Sequence, residues 1–332
     1  MSRVRYIAWR TLNTIILLWV IITVLFLLFR LLPGSYADLL IAEGADQETV
    51  ETLRAQWGLD QPLYIQYVAY LSNFVQLNMG ESFQYGMPVW DYVNHRIANT
   101  LVLVAPGITI GYVIGSVIGT VLGSRKGTRL ENYGVFTLVM IGSLPSFFTA
   151  ILLIIIFAVY LNLFPTSGML PAGTAGRFGE EVVWWRLYFS TEFLRHWFLP
   201  FCVVTILGIY PSAMVMRTSV VEVSGQDFMY YNEVSGLSQK DRLIRMAHHA
   251  ILPVITLFPI SIGQAVSGLV LVELVFNWPG IGFTLIEAVF NRDYPVIQFV
   301  FFLTAAFVVI ANFIVDIVYG VIDPRISIDG EE

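Results

Sequence analysis

Lysine is nearly missing from this chain: Lys126 and Lys240 are the only two among 332 residues. Charged residues of all kinds make up 13% of the sequence, about half the share usual in soluble domains. No basic patch exists, and the formal net charge is −6, so a nucleic-acid partner is excluded. The single cysteine, Cys202, lies in an apolar run and cannot form an internal disulfide. No G-x-x-x-x-G-K-[ST] loop is present to cradle phosphates, and no H-E-x-x-H to hold zinc. His95, His196, His248 and His249 are scattered, and the adjacent last two would point about 100° apart on a helix. No metal and no cofactor is therefore expected on this chain. Nor does a small-residue cleavage site clearly follow the first apolar run, so no removable signal peptide is expected.

What the chain has in abundance is hydrophobic sequence, 57% of it. A helix needs about 20 apolar residues to cross the hydrocarbon layer. Six runs meet that length: Thr11–Leu32, Ala98–Gly123, Tyr133–Tyr160, Trp197–Met216, Pro253–Val275 and Pro295–Tyr319. The reading is an all-α integral membrane protein with six transmembrane helices. In the second run, Gly107, Gly111, Gly115 and Gly119 recur every four residues, a stripe that lets another helix approach closely and marks a packing face.

Arginine and lysine in the short flanks set the orientation. Arg3, Arg5 and Arg10 precede the first span, Arg125, Lys126 and Arg129 follow the second, and Arg217, Lys240, Arg242 and Arg245 follow the fourth. With six spans all of these fall on one side, which places both termini in the cytoplasm of a multi-pass cell-membrane protein. The division is 1–32 for the N-terminal tail and first span, 33–97 for an outer loop, 98–325 for the core, and 326–332 for the tail. The outer loop is too rich in aromatics, Trp57, Tyr64, Tyr67 and Trp90 among them, to be a disordered spacer. Asp46–Trp57 and Pro62–Leu77 have helical spacing within it, and its early acidic residues fit either a solvated face or a docking surface for another protein.

The polar interval Arg217–Pro253 reads as helix, break, helix. Ser224 and Asp227 have capping-box spacing, so a helix can start near Gly225, with Phe228, Tyr231 and Val234 along one apolar edge. Gly236 suits a left-handed position, and Leu237 stands where a Schellman motif places its apolar contact. Ser238 and Asp241 repeat the capping spacing and open a second helix, Gln239–Leu252, redirected at Pro253. The exposed edge must bury against lipid surface or a partner protein.

Glu273 is an intramembrane carboxylate beside Trp278, Pro279 and Gly280. It is either a functional charge or an acceptor for backbone amides in that turn, and the structural role is preferred. Asp316 and Asp323 read as interface residues. Pro211 and Pro259 can kink their spans, yet no coupling-ion charge accompanies them. The chain thus has a translocation path without an energy source of its own, which points to an external motor. Two rivals differ in class: a self-sufficient secondary transporter, and a receptor or assembly protein whose outer loop merely binds partners.

Several blocks resemble the B-type permease subunit of dipeptide, oligopeptide and nickel ABC importers. They are Phe29-Arg30-Leu31-Leu32-Pro33-Gly34, Leu53 to Tyr67 with Gly58-Leu59-Asp60-Gln61-Pro62-Leu63 inside it, Phe164-Pro165-Thr166-Ser167-Gly168, Arg195-His196 through Leu199-Pro200, Glu273 through Gly282, Arg292-Asp293-Tyr294-Pro295 and Asp323-Pro324-Arg325. The resemblance implies a type I importer permease fold. It also implies a heterodimer with a second homologous permease subunit, two ATP-binding subunits that hold the ATP and Mg, and an extracytoplasmic substrate-binding protein. In that family the loop before the fifth span carries a coupling helix that docks on the ATPase. Asp227, Phe228, Gly236 and Leu237 match its pattern, while Asn232, Val234 and Ser235 depart from it. The expected function is ATP-driven import of di- and oligopeptides by a chain that is not itself an enzyme, with oligosaccharide or nickel as other cargoes the family takes.

Overall fold

The computed structural model describes residues 3–31, 60–76, 78–171 and 184–322. Among these, every regular element is helical; extended pairing is confined to one isolated bridge between Glu81 and Pro88. The expected Asp46–Trp57 helix, residues 33–59 of the outer loop, Asp323 and the 326–332 tail lie outside the described residues. The chain divides into two compact units, Met1–His95 with Thr284–Glu332, and Arg96–Phe283.

In the first unit, α1 (Arg3–Leu31) packs along α11 (Tyr294–Ile322) and touches α2 (Leu63–Val75). Pro62 precedes α2 rather than opening it. Arg10 pairs with Asp316 at 2.9 Å, which makes Asp316 more than an interface residue: it holds α1 to α11. Phe26 is buried against Tyr67 and Tyr70, and Arg30 lies over its ring. The carboxylate of Asp293, buried itself, accepts from the Ser82 hydroxyl at 2.5 Å and from the Phe83 and Gln84 amides, fixing the turn ahead of α3 (Val89–Gly123).

In the second unit, the later part of α3 lies against α6 (Thr191–Ser224). The glycine stripe faces it and extends one step further than expected. A Cβ at Gly111 would meet the Thr205 carbonyl, one at Gly115 the Ser212 side chain, one at Gly119 the Ala213 carbonyl and one at Gly123 the Arg217 carbonyl. Backbones this close need glycine, as the spacing predicts.

The third expected span is not one straight helix. It consists of α4 (Arg129–Gly142) and α5 (Ser146–Leu153), the latter continued by a π-helical stretch Ile154–Tyr160, and the two parts meet at 97°. Pro145 stands at the bend: its ring cannot continue the ladder and Leu144 before it is steered out of the helical region. α4 is capped by the Thr128 hydroxyl, and its Leu138 joins Leu122 of α3 and Ala213 of α6 in one buried cluster. α9 (Leu252–Phe276) packs on α5 and α6. The Tyr112 hydroxyl of α3 bonds Ser261 of α9.

Among the described residues, four unbroken helices are long and apolar enough to cross a membrane, and three bent pairs raise the number to as many as seven. Helix limits exceed the apolar runs: α3 starts at Val89 rather than Ala98, and α6 runs Thr191–Ser224 rather than Trp197–Met216. Hydrophobicity marks where lipid contact ends, whereas backbone hydrogen bonding carries the helix beyond.

Candidate functional site

Two assemblies within the second unit gather the polar chemistry. The first is the pair α7 (Asp227–Val234) and α8 (Gln239–Ala250). α6 runs through Ser224, whose hydroxyl turns back to the Val221 carbonyl, so Ser224 closes one helix instead of capping the next. α7 begins at Asp227 after Gln226, without a side-chain cap. Its buried residue is Met229, whereas Tyr230, Tyr231 and Val234 are each 68% exposed. The expected Phe228–Tyr231–Val234 edge is therefore split: the Phe228 ring lies 4.8 Å from that of His249 on α8, and the other two face outward. An eight-residue helix has room for one anchored residue per turn, and Met229 takes that place.

The break after α7 is a full Schellman motif. Gly236 has φ +76°, its N–H reaches the Glu233 carbonyl at 3.0 Å, and the Leu237 N–H reaches Asn232 at 3.2 Å. Ser238 then caps α8 by accepting from the Asp241 N–H at 3.1 Å. α8 stops at Ala250, two residues short of expectation, because Leu252 and Pro253 already open α9. Arg242 bonds Glu233 at 2.8 Å and Arg245 bonds the Asn232 amide oxygen at 3.2 Å, so α8 holds α7 at both acceptors. Behind the pair lies a cavity of about 670 Å³.

Close by, Arg217 on α6 grips the Glu131 carboxylate through Nε at 2.9 Å and through a second nitrogen, while the Gly127 N–H also donates to it. Sequence reading missed Glu131. Its signal was faint: one acid in the first turn of an apolar helix, 86 residues from its cation.

The second assembly surrounds Glu273, fully buried near the end of α9. Its carboxylate accepts from the Thr100 hydroxyl at 2.7 Å and from the Phe283 N–H at 2.9 Å. Thr100 in turn accepts from the Ile281 N–H at 2.8 Å, so the first-turn amides of α10 (Ile281–Phe290) are satisfied from other helices. Asn277 takes the left-handed conformation, and the Trp278 N–H closes back on the Glu273 carbonyl at 2.8 Å. The buried Trp278 donates from Nε1 to the Asn99 carbonyl at 3.0 Å, and the Asn99 amide donates to the Pro279 carbonyl at 2.8 Å. Gly280 and Gly282 are required because a Cβ at Gly280 would run into the Glu273 side chain and one at Gly282 into the Val270 backbone. The donors come mostly from outside the Trp278-Pro279-Gly280 turn, with Thr100 and Asn99 invisible beforehand as partners. Two neighbouring polar residues inside an apolar run were the available hint.

Among the described residues no group of three or more metal-ligating side chains occurs. One assembly fixes the turn that redirects the chain into α10, and the other presents a short braced helix.

Residues 86–328 match the model for the binding-protein-dependent transport system inner membrane component, and residues 3–104 match its N-terminal counterpart. The chain belongs to this family. It is also similar to the di/tripeptide transport system permease protein DppB of Pseudomonas aeruginosa, 32% identical over 91% of this chain and 92% of that one. The oligopeptide transport system permease protein AppB of Bacillus subtilis is 30% identical over 97% and 99%. A Brucella suis protein named as a peptide permease is 36% identical over 98% and 99%.

A binding-protein-dependent permease of the inner membrane works beside an ATPase and a substrate-binding protein, and this chain is a multi-pass subunit of that kind. The structure brings together permease blocks far apart in sequence. The His196 ring meets the carbonyls of Ser167 and Gly168, and the Gly168 N–H reaches the Phe276 carbonyl at 2.7 Å, beside the Glu273 turn.

Proposed function

We propose that this chain is one half of a heterodimeric pore through which di- and oligopeptides are imported, driven by ATP hydrolysis on partner subunits. Six spans cross the membrane: α1, α3, the bent α4–α5 pair, α6, α9 and α11. α8 carries Lys240, Asp241, Arg242 and Arg245 and stays at the surface. Both termini are cytoplasmic, residues 33–97 form a large outer loop facing the substrate-binding protein, and 98–325 form the permease core. The chain itself binds no cofactor and catalyses no reaction; ATP and Mg sit on the two ATP-binding subunits. Peptide as cargo is supported by the names of the DppB and AppB relatives.

The observation that carries the reading is the outward face of α7. Tyr230, Tyr231 and Val234 stand exposed on a helix that Gly236 and the contacts of α8 hold in one orientation. A rigid rod with an apolar face transmits a push. In this reading Asp227, Phe228, Tyr231, Val234, Gly236 and Leu237 form the coupling element, and closure of the ATP-binding subunits moves α7 and, with α8, the spans behind it.

The test is reconstitution with the ATPase and binding-protein partners. Gly236→Val should leave ATP hydrolysis measurable while peptide uptake falls away. Full uptake by that variant, or ion-gradient-driven uptake by this chain alone, would overturn the proposal.

A further inference from the structure

The cavity of about 670 Å³ behind α7 is lined by the end of α3, the break between α6 and α7, and α8. Its size falls in the range of small-molecule sites, roughly 300–1,000 Å³. Its lining carries both signs of charge. Arg242 and Glu233 neutralise each other at 2.8 Å, which leaves Arg125 and Lys240 against Asp227. The buried Nε of Arg242 has no hydrogen-bond partner. Gln226, at the mouth of α7, supplies no side-chain cap to the first-turn amides there. Between the charges lie Met229, Leu243 and Met246, of which the methionines adapt to varied shapes.

We propose that this cavity binds a short peptide with free termini, its carboxylate on Arg125 and Lys240, its ammonium on Asp227 and its side chains against the methionines. This rests on the peptide-import reading, since it makes the released cargo a ligand of the side to which it is delivered. A simple anion fits less well: phosphate would gain Arg125 and Lys240 but face Asp227. The free termini of a peptide carry one charge of each sign, and the lining leaves two cations for the carboxylate and one carboxylate for the ammonium. Occupancy braces α7 on α8 and α3, so accumulated cargo resists the movement that imports more of it.

Titration calorimetry on the assembled importer, without its binding protein, tests this with three probes: dialanine, N-acetyl-dialanine amide and inorganic phosphate. Dialanine should bind, and the double variant Arg125→Gln/Lys240→Gln should weaken it at least about tenfold, the loss expected for charge-assisted contacts. The blocked peptide and phosphate should give no such heat. Equal dialanine binding in both proteins, no binding because the ATPase fills the cavity, or phosphate binding with the same dependence on Arg125 and Lys240 would each overturn the proposal. Vesicle uptake is measured in parallel. Uptake without charge-dependent dialanine binding retains the import reading and removes this one; charge-dependent binding without uptake does the reverse.

Discussion

The Thr100 hydroxyl donates to Glu273 Oε1 at 2.7 Å across 173 positions of sequence, and both side chains are buried. This bond links α3 to the end of α9, and through the Ile281 and Phe283 amides it also sets the start of α10.

Glu273→Gln keeps the shape but leaves one oxygen to serve two donors. We expect a loss of roughly 1–3 kcal/mol, the cost of a buried group left unsatisfied, read as a lower melting temperature in detergent. Thr100→Val should cost a comparable amount. The double variant should lose less than the sum, because both single changes break one network; strict additivity would refute the coupling.

The Glu131–Arg217 pair makes a sharper contrast. Arg217→Met leaves the Glu131 carboxylate, 5% exposed, with the Gly127 N–H but without its cation, and losing a hydrogen bond to a charged group costs roughly 1.5–3 kcal/mol. Replacing both, Glu131→Leu with Arg217→Met, should recover much of that loss. Thermal melting of the three variants beside the parent decides it.

Gly115→Leu should abolish the folded chain, since even a Cβ there collides with Ser212 and the Ile209 carbonyl. Val113→Leu, on the exposed side of the same helix, is the control and should change nothing. Size-exclusion profiles of the solubilised proteins report both.

At Gly236 open space surrounds the Cβ position, so the only penalty for a side chain is the left-handed backbone. Gly236→Asn should therefore retain most coupling, because asparagine visits that conformation, as Asn277 does at the end of α9. Gly236→Val should be strained by about 1 kcal/mol or more. The ratio of peptide taken up to ATP hydrolysed separates the two.

Legibility followed distance along the chain. Gly236, Leu237 and Ser238 were readable because their reasons lie within five or six residues. The stripe at Gly111, Gly115 and Gly119 was readable as a packing face, although its partner α6 was not. Thr100 could not be assigned to Glu273, nor Arg217 to Glu131, since no local rule reaches across such separations. The bend at Pro145 was hidden for another reason: the apolar run continues through it, so hydropathy counts one span where the backbone makes two helices. The spacing of Phe228, Tyr231 and Val234 suggests one apolar edge, but only the packing of Met229 shows which side of α7 is anchored.

The remote capping of α10 also has a consequence for biogenesis. Its first amides depend on Thr100 and Glu273, both of which leave the ribosome earlier than Ile281. The acceptors are thus already synthesised when α10 is made, and its first turn needs nothing from later sequence to satisfy these two amides. Transplanting Ile281–Phe290 ahead of α3, as in a circular permutant, would ask it to wait in lipid with its donors bare.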